Sequence, residues 1–379
     1  MKHFISSFKI ISIMLVFCIL FSLLCACGAV PPSPSPSATQ TVTDMLGREV
    51  TLPKTINSVA CIGSGALRLY SYVGDMQLLC GVESCEYGFL VSARPYQMVH
   101  EDYFKTLASI GAGGPKGSAD AEALLSANPD VIFSLYTSDA KAMDMLQAKT
   151  GIPVVVLHYG ETEVFNPTLS ASITLMGKVL GREARAKEVT DYLAFLEADL
   201  KARTEAIPTA DKPTVYLGCQ SYYGTHGITS STANYALFDA IGARNVLDIH
   251  GYRGYQSAVD LESLLEMNPD VIILDAGGLE HLRKDFQTHG EVLQKLSAFQ
   301  SGQVYLQLPY NAYFTNIEMA IVNTYFIGKV LYPPYFLDID IPTLFDEVSV
   351  KLLGMPSYEM VISQIPEGYT QLDINTWLN

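Results

Sequence analysis

The chain has 379 residues, which is enough for two lobes that each have a core of their own. It carries 39 acidic against 24 basic residues, a net charge of −15. Such an acidic protein repels a phosphate backbone, so nucleic acid is an implausible partner.

The first 27 residues are predicted to be an export signal. Lys2 and Lys9 make its N-terminal part basic. The apolar run at 10–24 that follows is too short and too N-terminal for an ordinary spanning helix. An uncleaved membrane anchor is the alternative, and it leaves the protein on the same membrane face. Without this segment the net charge is about −17, from 22 basic and 39 acidic residues. Residues 28–41 are rich in Pro and Ser, which predicts a tether.

Residues 42–165 are predicted to form a first α/β lobe. Short apolar runs typical of strands, at 58–62, 78–82, 131–135 and 153–157, alternate with helical patterns. This alternation favours a parallel, doubly wound type of sheet over a sandwich.

Residues 166–207 are predicted to be a helical linker. The first helix, 166–180, begins with Asn166 as a candidate N-cap. Residues 182–207 contain neither Gly nor Pro and repeat apolar positions at spacings of three and four. They predict one helix of about 39 Å, long enough to connect two lobes.

Residues 208–379 are predicted to form a second α/β lobe with a helical tail. Strand patterns lie at 214–218, 271–274 and 304–307, and a helix begins in 235–241. From residue 317 onward two apolar helical patterns follow, with a break at 331–336.

A repeat relates the two lobes. Residues 121–132, AEALLSANPDVI, match residues 261–272, LESLLEMNPDVI, at eight of twelve positions. Each copy is a helix that an Asn-Pro pair ends, followed by a β-branched run. The repeat therefore predicts one αβ unit of a parallel sheet in each lobe.

Three features of the sequence resemble the class III periplasmic binding proteins, which serve ABC importers for ferric siderophores, haem and cobalamin. They are the opening TDMLGREVTLP with SVACIGSGALRLYSYVG close behind it, the duplicated ExLLxxNPDVI unit, and the single long helix between the lobes. The resemblance covers nearly all of the chain after the export signal. It implies an α/β fold of two doubly wound-like lobes joined by one long helix, a ligand cleft between them, and a protein that is not an enzyme. Because a rigid helix between the lobes limits their relative motion, we expect small hinge closure.

The same resemblance implies roles and partners. The LCAC at residues 24–27 resembles a lipobox, which implies a lipid on Cys27 and an anchor on the outer face of the cytoplasmic membrane. In the resembled family one acidic residue of each lobe pairs with Arg on the permease dimer, and the repeat gives that role to Glu122 and Glu262. The implied partners are the permease, its ATPase subunits and a ferric siderophore, with haem or a corrinoid as alternatives. A monomer without a cofactor of its own is expected.

The candidate ligand-contacting residues follow the predicted strands, because ligands of open α/β sheets collect beyond the carboxyl ends of the strands. Aromatic faces suit a large, partly apolar ligand, and Arg suits carboxylate, phosphate or catecholate oxygens. Packing is the alternative for each Tyr, since the chain has 22 of them. The candidates are Ser64, Gly65, Arg68, Arg94, Tyr96, the turn 113–115, Tyr136, His158 and Tyr159 in lobe one, and Ser221, Tyr222, Tyr223, His226, Tyr252, Arg253, Tyr255, Asp275, Tyr310, Asn311 and Tyr313 in lobe two.

Two alternatives stay open for the chemistry of the site. No metal ligand is predicted unless the ligand is haem, in which case His158, Tyr159 or His226 could coordinate its iron. An extracellular hydrolase on a similar scaffold would need a GxSxG elbow or clustered His and carboxylates, and the sequence has neither.

The state of four cysteines is also open. An extracellular location allows a disulfide, with Cys80–Cys85 or Cys61–Cys80 as the plausible pairs, and buried free thiols are the alternative. Cys219 is the fourth cysteine outside the export signal.

Overall fold

The computed structural model describes residues 38–87, 94–136, 139–160, 164–222 and 224–378. The predicted export signal with Cys27, and most of the tether, lie outside the described residues. Among those described, no helix combines the length and the apolar character needed to cross a bilayer.

The first lobe is built on parallel strands with helices beside them. Its elements are β1 (Thr39–Thr43), β2 (Glu49–Pro53), β3 (Val59–Ile62), α1 (Ala66–Val73), β4 (Gly81–Val82), α2 (Pro95–Phe104), β5 (Ala108–Ser109), α3 (Ala121–Ala127), β6 (Val131–Ser134), α4 (Ala140–Thr150) and β7 (Val154–Val156). The order β3-β6-β7 is parallel throughout, β4 pairs in parallel with β5, and a bridge from Val59 to Leu79 sets that pair beside β3. β1 and β2 form a separate ribbon.

The predicted strands of this lobe are confirmed at β3, β6 and β7, and the fourth is shorter than expected. The strand expected over 78–82 begins only at Gly81. Residues Met76–Leu78 turn as a 3-10 helix, because the Asp75 carboxylate accepts a hydrogen bond from the backbone N–H of Gln77.

Two consecutive helices, α5 (Pro167–Leu180) and α6 (Glu183–Thr204), follow the first lobe. Asn166 caps α5 as predicted, because its side chain accepts a hydrogen bond from the N–H of Leu169 at 2.7 Å. The long helix is confirmed as one unbroken element of 22 residues, about 33 Å in length.

Arginines near both ends of α6 fix it to the rest of the protein. Arg185 donates to the carbonyl oxygens of Tyr72 in α1 and of Lys351, at 2.8 and 2.6 Å. Arg203 donates two hydrogen bonds of 2.7 Å to the Asp338 carboxylate. The helix is therefore held at each end by charge-assisted bonds that resist sliding.

The second lobe repeats the parallel design. Its elements are β8 (Thr214–Gly218), β9 (Ser231–Thr232), α7 (Ala236–Asp239), β10 (Arg244–Asn245), α8 (Val246–Ile249), β11 (Tyr255–Gln256), α9 (Leu261–Met267), β12 (Val271–Asp275), α10 (Leu279–Leu293), α11 (Ser297–Ser301) and β13 (Val304–Gln307). The sheet order is β10-β8-β12-β13, all parallel, and β9 and β11 form a small antiparallel pair.

The repeat forms equivalent structures in two different sheets, as predicted. Asn128 and Asn268 end α3 and α9 in the left-handed conformation, with φ of 48° and 37°. Asp130 then accepts a backbone N–H just before β3 at 2.7 Å, and Asp270 accepts one at the start of β8 at 2.8 Å. In both lobes the Asn-Pro-Asp sequence thus stops a helix and fixes the start of the neighbouring strand.

The tail forms α12 (Ile317–Leu331), α13 (Ile341–Leu353), α14 (Tyr358–Ile362) and α15 (Ile374–Trp377), and both predicted long helices are confirmed. The sequence did not indicate that α13 packs against α1, α2 and α6, on the side of the first lobe. One apolar core accordingly runs through Leu67, Leu196, Leu217 and Ile321. The lobes are joined by this packing as well as by α6.

The described cysteines are free thiols, so the disulfide alternative is not observed. The Cys61 side chain is buried in the apolar core, and the Cys80 thiol donates to the carbonyl oxygen of Val59 at 3.3 Å.

Candidate functional site

A loop of the second lobe reaches the first lobe beyond the strand ends. This loop, residues 311–316 between β13 and α12, is called the crossing loop below. Arg68, in the first turn of α1 just after β3, donates to the carbonyl oxygens of Ala312, Tyr313 and Thr315 at 2.8, 2.9 and 3.0 Å. Arg68 is fully buried. Its fork of N–H donors therefore clamps three carbonyls of the crossing loop.

Tyr159, which follows β7, supports the same loop. Its hydroxyl donates to the carbonyl oxygen of Thr315 at 2.6 Å and accepts from Arg68 at 3.1 Å. Its ring stacks on Phe314, with centroids 5.0 Å apart and an interplanar angle of 11°. Burial raises the pKa of Tyr159. Its phenol oxygen is thus engaged by protein groups, and coordination of a haem iron would require the hydroxyl to lose its proton and with it the hydrogen bond to Thr315.

The two aromatic residues of the crossing loop have an unusual backbone. Tyr313 and Phe314 are both in the left-handed region, with φ of 52° and 66°. The Tyr313 ring lies 4.5 Å from the guanidinium of Arg94, and it borders Gly114 in the turn after β5. Consecutive left-handed residues other than Gly cost free energy, so the surrounding contacts must hold them in place.

Two carboxylates that the sequence reading missed lie behind this region. Glu83, just after β4, accepts hydrogen bonds from the Gly63 N–H at 3.0 Å and from the Tyr136 hydroxyl. Burial raises the pKa of Glu83 to about 7. Glu86 accepts from the Tyr96 hydroxyl at 2.6 Å. The available signal was an acidic sequence directly after an apolar run, VESCE at 82–86.

Arg94 and Tyr96 lie inside the protein rather than on a cleft surface. Their exposed fractions are 1% and 0%. Arg94 donates to the Cys85 carbonyl oxygen at 2.7 Å and forms an ion pair of 3.3 Å with Glu86. Ligand contact by either residue stays a prediction, and it would require the crossing loop to move away.

The second lobe contributes an aromatic group. The rings of Tyr222 and Tyr255 lie 4.3 Å apart, and the His226 ring lies 6.4 Å from Tyr255. The Nε2 atom of His226 is 2.9 Å from the Tyr222 carbonyl oxygen. Tyr222 is exposed, so this group has surface to offer to a ligand. Tyr223 lies outside the described residues.

The remaining candidates of the second lobe differ in exposure. Arg253 is exposed and donates to the carbonyl oxygen of Tyr252 at 2.7 Å. Tyr310 is buried beside Tyr235, with ring centroids 6.4 Å apart, and burial raises the pKa of Tyr310 to about 12. Asp275 is also buried, and burial raises its pKa to about 6. Arg253 is therefore the candidate arginine with an accessible charge.

Ser64 and His158 lie at strand ends in the first lobe. The Ser64 hydroxyl oxygen is buried and has no hydrogen-bond partner among the described residues. The half-buried His158 accepts a hydrogen bond at Nδ1 from the Gly160 N–H at 3.1 Å, which leaves its Nε2 as the atom for an external partner. In the described ranges, no group of three or more His, Cys, Asp or Glu side chains could hold a metal ion.

Glu122 and Glu262 occupy equivalent exposed positions. Each is in the first turn of its helix, α3 or α9, two residues after the capping residue Asp120 or Asp260. A helix that feeds a parallel strand begins at the carboxyl edge of the sheet. Both carboxylates thus lie on the edge of their lobe where the loops after the strands are found.

Comparison with known proteins gives three informative matches. A family model described as periplasmic binding protein matches residues 92–309. The molybdate-binding protein MolA of Haemophilus influenzae is 25% identical over 355 residues, which cover 88% of this chain and 96% of MolA. The high-affinity heme uptake system protein IsdE of Staphylococcus aureus is 27% identical over 143 residues, 36% of this chain and 47% of IsdE.

A solved structure has the same fold. A periplasmic solute binding protein from Veillonella parvula superposes with a TM-score of 0.67 at 19% identity, over 86% of this chain and 97% of that one. The match extends over both lobes, which supports the two-lobed architecture described above.

Proposed function

We propose, on the basis that this chain belongs to the periplasmic binding protein family of ABC importers, that its ligand is a metal chelate with a bulky organic shell, in the first place a ferric siderophore. Proteins of this family bind a solute on the extracytoplasmic side and work with an ABC permease and its ATPase. The relatives are solute-binding proteins, which confirms the prediction that the chain is not an enzyme.

The choice of ligand rests on which side chains are accessible at the strand ends. Arg68 and Arg94 are buried against protein acceptors, so their charges serve the fold. The accessible groups are the aromatic rings of Phe314 in the crossing loop and Tyr222 in the second lobe, and Arg253 is the candidate arginine whose charge is exposed. Rings bind a large, partly apolar ligand by area and stacking, whereas a small bare oxyanion needs N–H donors and cations. The site therefore suits a chelate better than a free anion.

Haem or a corrinoid is the alternative within this class. IsdE is described as a heme uptake protein, and the similarity to it covers about a third of this chain. With the Tyr159 hydroxyl and the Nε2 atom of His226 both engaged, His158 is the better candidate for an axial ligand.

Molybdate is a second candidate, favoured by two observations. MolA is described as molybdate-binding, and it matches this chain over 96% of its own length. The Ser64 hydroxyl, buried and without a partner among the described residues, is a donor that a tetrahedral oxyanion could use. In this alternative the aromatic rings would be packing residues.

Titration calorimetry of the purified protein tests the ligand. The panel is a ferric catecholate, a ferric hydroxamate, haemin, cyanocobalamin and sodium molybdate. Micromolar or tighter binding of one of the first four, with no heat from molybdate, supports the proposal. Binding of molybdate alone refutes it and establishes the second candidate. An absorption spectrum of protein purified from its native source identifies a bound chromophore independently.

The lipid anchor at Cys27 and the docking role of Glu122 and Glu262 complete the proposal. The anchor keeps the protein at the membrane, and the tether lets the lobes reach the permease. Two equivalent exposed carboxylates, one in each lobe, suit a permease with two-fold symmetry.

Uptake measurements test the docking role. Replacing both residues (E122A with E262A) should reduce uptake by at least tenfold, because each lobe loses its ion pair to the permease, while ligand affinity stays unchanged. The matched control replaces two exposed acidic residues elsewhere, E205A with E291A, and should leave uptake near the wild-type rate. Equal uptake in the two double variants would rule the docking role out.

A further inference from the structure

We infer that Phe314 is the stacking platform for an aromatic or otherwise conjugated part of the ligand, and that the crossing loop is built to present it. This inference rests on the proposed function and names the chemistry that the site selects. Phe314 is not among the residues that the sequence indicated as ligand contacts.

The position of the ring places it where the two lobes meet. Phe314 belongs to the second lobe, after β13, but it stacks on Tyr159, which follows β7 of the first lobe. Its ring also borders Gly65, which follows β3. Three strand ends thus converge on this ring, at the edge of the sheets where α/β proteins bind their ligands.

One face of the ring is free. Phe314 is 49% exposed although its other face is stacked almost parallel on Tyr159. Gly65 makes this arrangement feasible, because a Cβ atom there would lie 2.9 Å from the Tyr159 ring and 3.4 Å from that of Phe314. The result is a supported aromatic surface that a planar group can cover at van der Waals distance.

The backbone of the crossing loop adopts an unfavourable conformation to hold the Phe314 ring outward. A left-handed φ at two successive residues other than Gly disfavours this loop by itself. Arg68 and Tyr159 offset that cost with four hydrogen bonds to carbonyl oxygens of residues 312–315. If the loop served only to connect β13 and α12, an ordinary conformation would do so without a fully buried arginine. The arrangement is explained if the ring must be fixed before the ligand arrives, which lowers the entropic cost of binding.

Calorimetry on the purified full chain tests the inference with two probes that share a metal. One is the iron(III) complex of 2,3-dihydroxybenzoate, which has aromatic rings, and the other is the iron(III) complex of desferrioxamine, which has none. We expect F314A to weaken binding of the aromatic chelate about tenfold and binding of the aliphatic chelate less than threefold. F314W keeps a ring and should bind the aromatic chelate within threefold of the wild type.

Phe195 supplies the matched control. It is another exposed phenylalanine next to a tyrosine ring, Tyr192, but on the long helix α6. F195A should bind both chelates as the wild type does. Circular dichroism and thermal unfolding check that each variant is folded, and F314L, which keeps apolar volume without a ring, replaces F314A if the latter is not.

The outcomes distinguish a failure of the Phe314 platform from a failure of the proposed function. If the wild type binds a ferric chelate and F314A binds the aromatic one within twofold, the platform is refuted and the proposed function stands. Equal losses for both chelates, or wild-type binding of the aliphatic chelate alone, also refute aromatic selection. If the wild type binds neither chelate and neither haemin nor cyanocobalamin, the proposed function and the platform fail together.

Discussion

Replacing Arg68 with alanine is expected to destabilise the protein by about 4 kcal/mol. The substitution removes the donors that serve three carbonyl oxygens of the crossing loop and the Tyr159 hydroxyl, all within 3.1 Å. A hydrogen bond to a charged group contributes about 1.5–3 kcal/mol, and removing one member of a buried charged contact costs about 3–5 kcal/mol. Water entering the space left by the side chain offsets part of the loss. R68K, which keeps the charge without the planar fork, should lose about 2 kcal/mol.

Urea unfolding at neutral pH measures both losses as shifts in the free energy of unfolding at constant m. Arg203 is the matched control, since it also makes several charge-assisted bonds, to Asp199, Asp338 and the Tyr335 carbonyl oxygen. Its side chain is 18% exposed, so water replaces its contacts and R203A should cost only about 1 kcal/mol. An R68A variant within 1 kcal/mol of the wild type, or no more destabilised than R203A, would refute the clamp.

Three further predictions concern other groups. Because burial raises the pKa of Glu83 from 4.5 to about 7, the folded state binds that proton more tightly than the unfolded state. The wild type should therefore lose stability relative to E83Q as pH rises from about 4.5 to about 7, by up to about 3 kcal/mol in urea titrations. A difference in the free energy of unfolding between the two proteins that does not change with pH contradicts this. G65A should cost at least about 1 kcal/mol more than G181A, since both glycines have positive φ but only the first would place a Cβ against Tyr159, while open space surrounds the second. The four described cysteines should react with a thiol reagent in denaturant and slowly, if at all, in the native protein, where burial raises their pKa values; fewer reactive thiols in denaturant would indicate a disulfide.

The free ring of Phe314 and the buried state of Arg68 bear on how the protein closes around a ligand. The crossing loop already contacts the first lobe, and α6 and α13 pack across the lobe boundary. Because the lobes share this much packing, we expect only a small conformational change between the free and the ligand-bound protein, as proposed from the long helix alone. Small-angle scattering with and without ligand measures that change.

The sequence by itself determined the local elements. The helix α6, the Asn166 cap and the strands β8 and β13 are as predicted, because each depends on propensity, capping or apolar periodicity within a few residues. The duplicated unit is another case, since the αL Asn, the Pro and the anchoring Asp act within one turn and one neighbouring strand.

The tertiary structure decided which candidate side chains face inward. From the sequence, Arg68 was equally consistent with a ligand contact and with a core residue. The carbonyl oxygens to which it donates lie 244 to 247 residues further along the chain. The same holds for Phe314, whose stacking partner Tyr159 belongs to the other lobe. Burial of a polar side chain depends on whether distant acceptors converge on it, and an aromatic ring becomes a binding surface only when one face is covered and the other is left free. Neither condition is encoded in a local pattern, so only the folded arrangement of both lobes could establish them.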